Sequence, residues 1–448
     1  MNLPAEFLVY LNSVLNEQEI QSFTESLTKQ LPVSIRVNPQ KKYAAANLQR
    51  VLWCDSGYYL PERKKFTFEP MFHGGAYYVQ EAGSMLSEQA MKQHADLHEP
   101  LRVLDLCASP GGKSTHLLSL ISDESMLVSN ELISSRIPAL EQNIIKWGTA
   151  NCIVTQNDPE VFSKFSQAFD VIVIDAPCSG EGMFRKHDHA VEEWSESNVN
   201  LCAARQQRIL ENAWPALKEN GLLLYSTCTF NLKENEENIA AFLNEHAGES
   251  LSLELPAAWN IKSTCHSGIQ GYRMMPHLTG SEGFFLTVIR KKEEERSPKK
   301  IKTLVKSKDL TDWKKYIVHA ENFIGVEFKN LQFIFPKNGL EFLTACLNEL
   351  RVVYFGIELG EVKGKDFIPS QALAQSNHLI ESVFEICEVS EENALRFLQK
   401  DAIVSTNSTP GIQLVTFQNL PLGFIKNLGN RSNNLFPKNW RILNKQVF

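Results

Sequence analysis

Residues 102–118 read RVLDLCASPGGKSTHLL. A short apolar run gives way to a turn with a proline and two adjacent glycines, and then to residues that suit the opening of a helix. Glycines let bare backbone approach a ligand, and the free N–H groups of a helix start bind an anionic group. CASPGGKS is one substitution from the nucleotide-phosphate loop GxxxxGK[ST], with Cys107 where the first glycine belongs. The GxGxxG of dinucleotide folds is missing. Taken alone, the stretch also reads as a tight strand-to-helix turn whose glycines serve geometry only.

The segments that follow decide between these readings. MLVSNE, CIVTQND, FDVIVIDAP and GLLLYSTC are short apolar runs separated by helix-length segments. This alternation predicts an α/β fold, a mostly parallel sheet with helices on both faces. GFFLTVIRK adds a late strand ending at Lys291. Glu131 closes the second run, where a carboxylate can accept both hydroxyls of a ribose, and Asp158 closes the third, where it can accept from an adenine amino group. A lone acid at a strand end is usually a helix cap. Three ligand-shaped positions on consecutive strand ends instead predict a pocket for an adenosine-bearing cofactor.

Two cysteines extend the pattern. VIVIDAPCSGEGMFRK, residues 171–186, ends the fourth strand at Asp175 with Cys178 three residues on, and Cys228 lies just past the fifth in GLLLYSTCTF. In a doubly wound order these strands are neighbours, so both thiols can face one substrate beside the cofactor. Asn231 and Glu234 have capping-box spacing, which predicts a helix start whose positive end approaches Cys228 and lowers its pKa from about 8.5 toward neutrality. Most buried cysteines pack as small hydrophobes, which suits Cys152 and Cys346 but not PCSG or STCT. The set fits one reaction. Carbon 5 of cytosine is a poor nucleophile until a thiolate adds to carbon 6, and an acid beside ring nitrogen 3, here Asp175, stabilises the charge arriving there. The base must leave its stack to be reached.

Composition agrees with an enzyme of several domains. A chain of 448 residues suggests two to four of them, and 43% hydrophobic with 22% charged residues is ordinary for a globular protein. The nine cysteines include neither a CxxC pair nor a Cys/His ligand spacing, so no disulfide framework and no metal is expected. No apolar run reaches the roughly 18 residues of a membrane span, and the N-terminus lacks a basic signal start, so a cytoplasmic location is expected. The net charge of −7 hides an asymmetry: residues 1–290 hold 23 basic and 34 acidic side chains, residues 291–448 hold 22 and 18, and from Ala402 onward there are five basic residues and no acid. Such a local basic field suits a polyanion, as it also suits a soluble tail.

Along the chain, Phe7, Leu8, Leu11, Leu15, Ile20, Phe23 and Leu27 have helical spacing, PVSIRVNP reads as a short strand, and GGAYYVQEAGSMLSEQAM as a turn into a helix. KKEEERSPKKIKTLVKSK reads as a charged linker, and Asp309–Phe448 as one or two small α+β modules.

DLCASPGGKSTHL, NE with Arg136, ND, DAPCSGEGMFRK, YSTCTFNLKENEENI and SEGFFLTVIRK together resemble the NOL1/NOP2/Sun family of RNA 5-methylcytosine methyltransferases. PVSIRVNP and AYYVQEAGSML resemble its N-terminal region; FGIELGEVKGKDFIPSQALA and LPLGFIKNLGNRSNNLFPKNWR resemble the pre-PUA and PUA-like modules of its bacterial 16S rRNA enzymes. The resemblance implies a Rossmann-like class I core dependent on S-adenosylmethionine, flanked by an N-terminal α+β domain. It divides the chain into an N-terminal RNA-binding-like domain (1–98), the methyltransferase domain (99–291), a charged linker (292–308), a pre-PUA-like domain (309–375) and a PUA-like RNA-binding domain (376–448). Cys228 would be the nucleophile, and Cys178 would assist release of the methylated RNA. Cys107, Ala108, Ser109, Pro110, Gly111, Gly112 and Lys113, with Glu131, Arg136, Asp158 and Asp175, would line the cofactor pocket. The implied partner is RNA, 16S rRNA or the small ribosomal subunit, met by a monomer with no role for DNA or membrane. Two departures are small: SEG replaces the usual GEG, and GFIK has phenylalanine where many relatives carry tryptophan. Alternatives are a tRNA methyltransferase, a non-catalytic ribosome assembly factor and, weakest, a P-loop ATPase, whose motif Cys107 breaks.

Overall fold

Residues 3–186, 188–293, 313–364, 366–404 and 409–443 are described by a computed structural model; residues 294–308 of the charged stretch lie outside them. The apolar repeat from Phe7 to Leu27 folds as two helices, Ala5–Asn12 and Glu17–Ser26. Asn16 separates them because its side chain accepts the Glu19 N–H at 2.9 Å while Glu19 reaches back to the Asn16 N–H. Next comes an antiparallel sheet of β1 (Ser34–Val37), β2 (Gln49–Arg50), β3 (Gly57–Tyr59) and β4 (Tyr77–Val79), in the order β2-β3-β1-β4.

The central sheet has a parallel heart. β5 (Arg102–Asp105), β6 (Met126–Asn130), β7 (Cys152–Thr155), β8 (Phe169–Asp175) and β9 (Leu217–Thr227) pair in the order β7-β6-β5-β8-β9. Val171, Ile172, Val173 and Ile174 are all buried, as a strand covered on both faces requires. From β5 the chain steps outward through β6 and β7, then returns to the other side of β5. The loops after β5 and β8 therefore diverge and open a crevice at the carboxyl ends of the strands.

Antiparallel strands, which the alternation did not predict, make the ten-stranded sheet mixed. β10 (Gly248–Leu251), β11 (Lys262–His266), β12 (Ile269–Met274) and β13 (Phe284–Lys291) extend it beyond β9. In the C-terminal part, β14 (Phe323–Phe328) and β15 (Leu331–Pro336) precede β16 (Val352–Phe355), which leaves its neighbours and pairs antiparallel with β7, covering the other edge. β17 (Ile357–Lys363) and β18 (Asp366–Pro369) complete a sheet with β14 and β15, and β19 (Glu385–Glu388), β20 (Gly411–Phe417), β21 (Leu420–Asn427) and β22 (Ser432–Asn434) form a further one.

Beyond β9, a fully buried ion pair fixes the structure. Arg273 on β12 and Glu236, at the start of the helix Glu236–Leu243, are both 0% exposed and bond each other through both oxygens. Arg273 also donates from Nε to the Phe230 carbonyl at 3.0 Å, two residues past Cys228. Removing one partner strands the other charge. Arg273→Met is expected to lower stability in urea unfolding by about 3–5 kcal/mol, and adding Glu236→Leu to recover much of it, because two apolar residues leave no orphaned charge. Equal stability of the single variant and the parent would refute this.

Candidate active site

The loop Cys107–Lys113 leaves β5 and opens the helix Gly112–Leu120. Its shape depends on glycine: Gly111 has φ +109°, and a Cβ on Gly112 would sit 3.3 Å from the Tyr78 ring. The end of β6 and the helical segment after it hold the loop. Ala108 donates its N–H to the Asn130 carbonyl at 2.8 Å, Asn143 donates to the Pro110 carbonyl at 2.8 Å, and Ser109 and Arg136 exchange two bonds, at 2.9 and 2.5 Å. Asp105, not singled out in the sequence, is buried below the loop and accepts from Ser114 at 2.6 Å; burial pushes its carboxyl up to about 7. The signal for it was an acid at the strand terminus itself. Burial also raises the Cys107 thiol, which suits packing rather than reaction.

The predicted acids fall into two groups. Glu131 is buried after β6, accepts the Ile133 N–H at 2.8 Å and lies 3.3 Å from Arg136. Asp175 joins three segments: Lys113 reaches it at 2.8 Å, the Ser226 hydroxyl donates to it at 2.8 Å, and the Lys113 ammonium stands over the Phe284 ring. Asp158 is already engaged: it caps the turn Pro159–Lys164 through the Glu160 N–H at 3.0 Å and takes both bonds of Arg208, at 2.9 and 3.0 Å.

Because Asp175 pairs with Ser226 in the β8–β9 register, the two strands finish together and their following loops meet. The sulfurs of Cys178 and Cys228 lie 3.1 Å apart, and the Cys228 N–H points at the Cys178 sulfur at 3.3 Å. That sulfur contact, then burial, then the charge of Glu234 hold the Cys178 thiol well above the ordinary range of about 8.5. Close backbone contact seats the loops. Gly182 donates to the Cys228 carbonyl at 2.8 Å, and a Cβ on Gly283, at φ +147°, would lie 2.9 Å from Gly182 Cα and 2.5 Å from the Phe230 ring. The serine of the departing SEG motif, Ser281, is buried and bonds within its own loop to Thr279 at 2.7 Å.

The helix expected at Asn231 begins instead at Glu236. Asn231 does accept the Glu234 N–H, at 2.8 Å, but its own N–H goes to Glu181 at 3.1 Å, so the reciprocal cap never forms. The Glu234 carboxylate turns to the Cys178 loop, where the Ser179 N–H and hydroxyl bond it, with the Gln206 amide from the helix Glu196–Ala213 and the Asn231 amide filling its other sites, and that demand outweighs a local cap. No helix terminus is aimed at Cys228 from this turn. Sequence spacing also gave no sign that the N-terminal helices buttress both thiol loops. Phe7 packs edge-on to Phe184 at 5.0 Å and Phe23 to Phe230 at 5.2 Å, contacts worth about 0.5–1.5 kcal/mol each beyond area burial.

One group among the described residues has metal-ligand chemistry: buried Cys54, Glu88 and His116. His116 already bonds Glu88 at 2.9 Å, Lys92 pairs with the same carboxylate at 2.6 Å, and burial holds His116 near 4, so the group is a neutral-histidine hydrogen-bond cluster. A hollow of about 360 Å³ lined by Asp123, His319 and His378 lies at the opposite ends of the strands, away from the thiols.

Comparison with known proteins places this geometry among relatives. The family profile described as "16S rRNA methyltransferase RsmB/F" matches residues 93–290, "N-terminal domain of 16S rRNA methyltransferase RsmF" matches 3–82, and "Methyltransferase RsmF PUA domain" matches 384–442. The ribosomal RNA small subunit methyltransferase F of Vibrio atlanticus is 30% identical, covering 97% of both chains, and that of Shewanella loihica is 29% identical over 96% of this chain and 94% of its own. Among solved structures, a methyltransferase homolog protein from Pyrococcus horikoshii is 26% identical and covers 64% of this chain and all of its own at TM-score 0.52. NSun6 from the same organism, solved with SFG, shares the fold at 19% identity and TM-score 0.55, over 65% of this chain and 99% of its own.

Proposed function

The chain belongs to the RsmB/F family of 16S rRNA methyltransferases, and from that premise we propose that it methylates carbon 5 of a cytosine in 16S rRNA, through a transient bond between Cys228 and carbon 6. The observation that carries this reading is the pair of thiols, 3.1 Å apart, at adjoining strand ends beside the Lys113–Asp175 pair.

S-adenosylmethionine, when bound, supplies an electrophilic methyl carbon. The residues present fit it: a glycine turn at 107–113 that leads into the start of the helix Gly112–Leu120, and the Glu131 carboxylate, able to accept from ribose hydroxyls. Arg136 ties that turn to Glu131, and Asp158 stands at the next strand end, its carboxylate shared with Arg208.

The chain's own residues then do three things. Cys228 adds its sulfur to carbon 6, and the ring's electron pair becomes available at carbon 5. Asp175, held by Lys113 and Ser226, faces the ring edge and accepts a hydrogen bond from nitrogen 3, which takes a proton from water as the displaced electron pair arrives there, so that no net charge builds up on the ring. Cys178 assists the departure of the Cys228 sulfur after carbon 5 has lost its proton. The glycine-packed loops and the two N-terminal helices keep these atoms in register, since small displacements of reacting groups are costly.

The N-terminal domain and the pre-PUA-like and PUA-like modules grip RNA phosphates and position the target, while base identity is read at the crevice. No helix among the described residues is long and apolar enough to cross a membrane, and we place the enzyme in the cytoplasm, acting as a monomer on rRNA or the small subunit. RNA carrying 5-fluorocytidine at the target is expected to form a denaturant-resistant adduct, because fluorine stands in place of the carbon 5 proton and blocks the elimination. Methylation of purified 16S rRNA, small subunits and tRNA identifies the substrate. Absence of any adduct with a methylated substrate would overturn the covalent reading.

A further inference from the structure

Two carboxylates lie inside the wall that separates the thiols from the core. Glu181 is 1% and Glu234 0% exposed. The Glu181 oxygens accept the Phe230 N–H at 2.7 Å, the Asn231 N–H at 3.1 Å, the Asn231 amide at 2.8 Å and the Trp194 indole at 3.1 Å. Glu234 accepts the Ser179 N–H at 3.0 Å, the Ser179 hydroxyl, the Gln206 amide at 2.9 Å and the Asn231 amide at 2.9 Å. All four partners of Glu234 are neutral donors. Two donors on each oxygen saturate an ionised carboxylate, and only the Ser179 hydroxyl could turn to accept from a protonated one. Burial raises the Glu234 carboxyl, while the Ser179 and Asn231 donors favour its ionised form, and it stands one residue from Cys178 with no contacting cation among the described residues.

We propose that Glu234 is a positioning residue that holds Cys178, as a neutral thiol, against the Cys228 sulfur, so that Cys178 hands its proton to that sulfur as it leaves the cytosine ring. The inference rests on the covalent reading above. At release, water takes the carbon 5 proton and its electron pair forms the carbon 5–carbon 6 double bond. The carbon 6–sulfur bond breaks with its pair on Cys228, the Cys178 S–H proton moves across the 3.1 Å contact to Cys228, and Cys178 is reprotonated by water. A thiolate at Cys178 could not make that transfer. The titratable and charged groups packed around Cys178 are Cys228 and Tyr225 at the end of β9, Cys202 and Arg205 on the helix Glu196–Ala213, and Glu181 and Glu234 themselves. The Cys228 sulfur, burial and Glu234 oppose ionisation of Cys178; the Cys228 N–H, pointing at its sulfur at 3.3 Å, favours it. Gln206, from that helix, also donates to the Pro177 carbonyl at 3.0 Å, so Glu234 and Cys178 share one support.

The test is alkylation of Cys178 by iodoacetamide across pH, read by peptide mass spectrometry in the full-length Cys228→Ser chain. That parent lacks the Cys228 sulfur, and burial with Glu234 is still expected to hold the titration midpoint above the ordinary thiol value near 8.5. Glu234→Gln is expected to raise the alkylation rate at pH 7.5 about tenfold, and Glu234→Asp to leave it near the parent's, which a purely packing role would not do. With Cys228 intact, Glu234→Gln should also lengthen the life of the RNA adduct. An ordinary midpoint in the parent overturns the proposal even if Glu234→Gln fails to fold, and so does an unchanged rate in a folded Glu234→Gln chain. A wild-type chain that forms no 5-fluorocytidine adduct sinks the covalent reading separately, since the thiol titration does not use RNA.

Discussion

Cys228→Ser is expected to lose methyl transfer by about four orders of magnitude or more, the scale on which removal of a covalent nucleophile registers. A serine hydroxyl is nearly the same size, so the fold has no reason to change. The Gly182 N–H still meets the carbonyl of residue 228, and the N–H of residue 228 still meets the Cys178 sulfur. What changes is the attacking atom. Sulfur ionises within reach of neutral pH and is intrinsically nucleophilic, while a serine needs an adjacent base to be activated, and among the described residues no histidine bonds either thiol. Transfer of labelled methyl groups to 16S rRNA measures the loss, and the adduct with 5-fluorocytidine RNA should vanish with it. A Cys228→Ser chain that methylates RNA at a rate near the parent's would remove the covalent mechanism.

Cys178→Ala should give the opposite picture on a denaturing gel. The first half of the reaction needs only Cys228, so the covalent RNA complex still forms. The second half has lost the proton held 3.1 Å from the departing sulfur, so the complex accumulates on ordinary cytosine RNA while turnover falls about 10²–10⁴-fold, the usual span for general acid catalysis. The contrast separates the two thiols by function even though they touch. Complex yield equal to the parent's would take the release role from Cys178. A loss of adduct matching that of Cys228→Ser would reassign Cys178 to the attack itself.

Much of this site is legible along the chain because its signals are local. A strand that must be apolar on both faces, a turn that needs glycine at φ +109°, and an acid or a thiol just past a strand end are each written in a few consecutive residues. The same local rules misread Asn231 and Glu234. Their spacing satisfies a helix cap, yet both side chains are claimed by Glu181, Ser179 and Gln206, residues distant in sequence. Asp158 shows the reverse: its local role as a cap is realised, and Arg208 from a distant helix takes the rest of its carboxylate.

Periodicity and turn chemistry act within a few residues, so the parallel heart of the sheet, the glycine turn after β5 and the thiols past two strand ends are written in the chain itself. Tertiary structure alone decided that those thiols meet across fifty positions of chain, that two buried carboxylates back them, that the N-terminal helices brace their loops, and that β16 returns to seal the sheet edge. Contacts of that kind form only when packing and hydrogen-bond saturation are satisfied everywhere at once, and no short stretch of sequence records that condition.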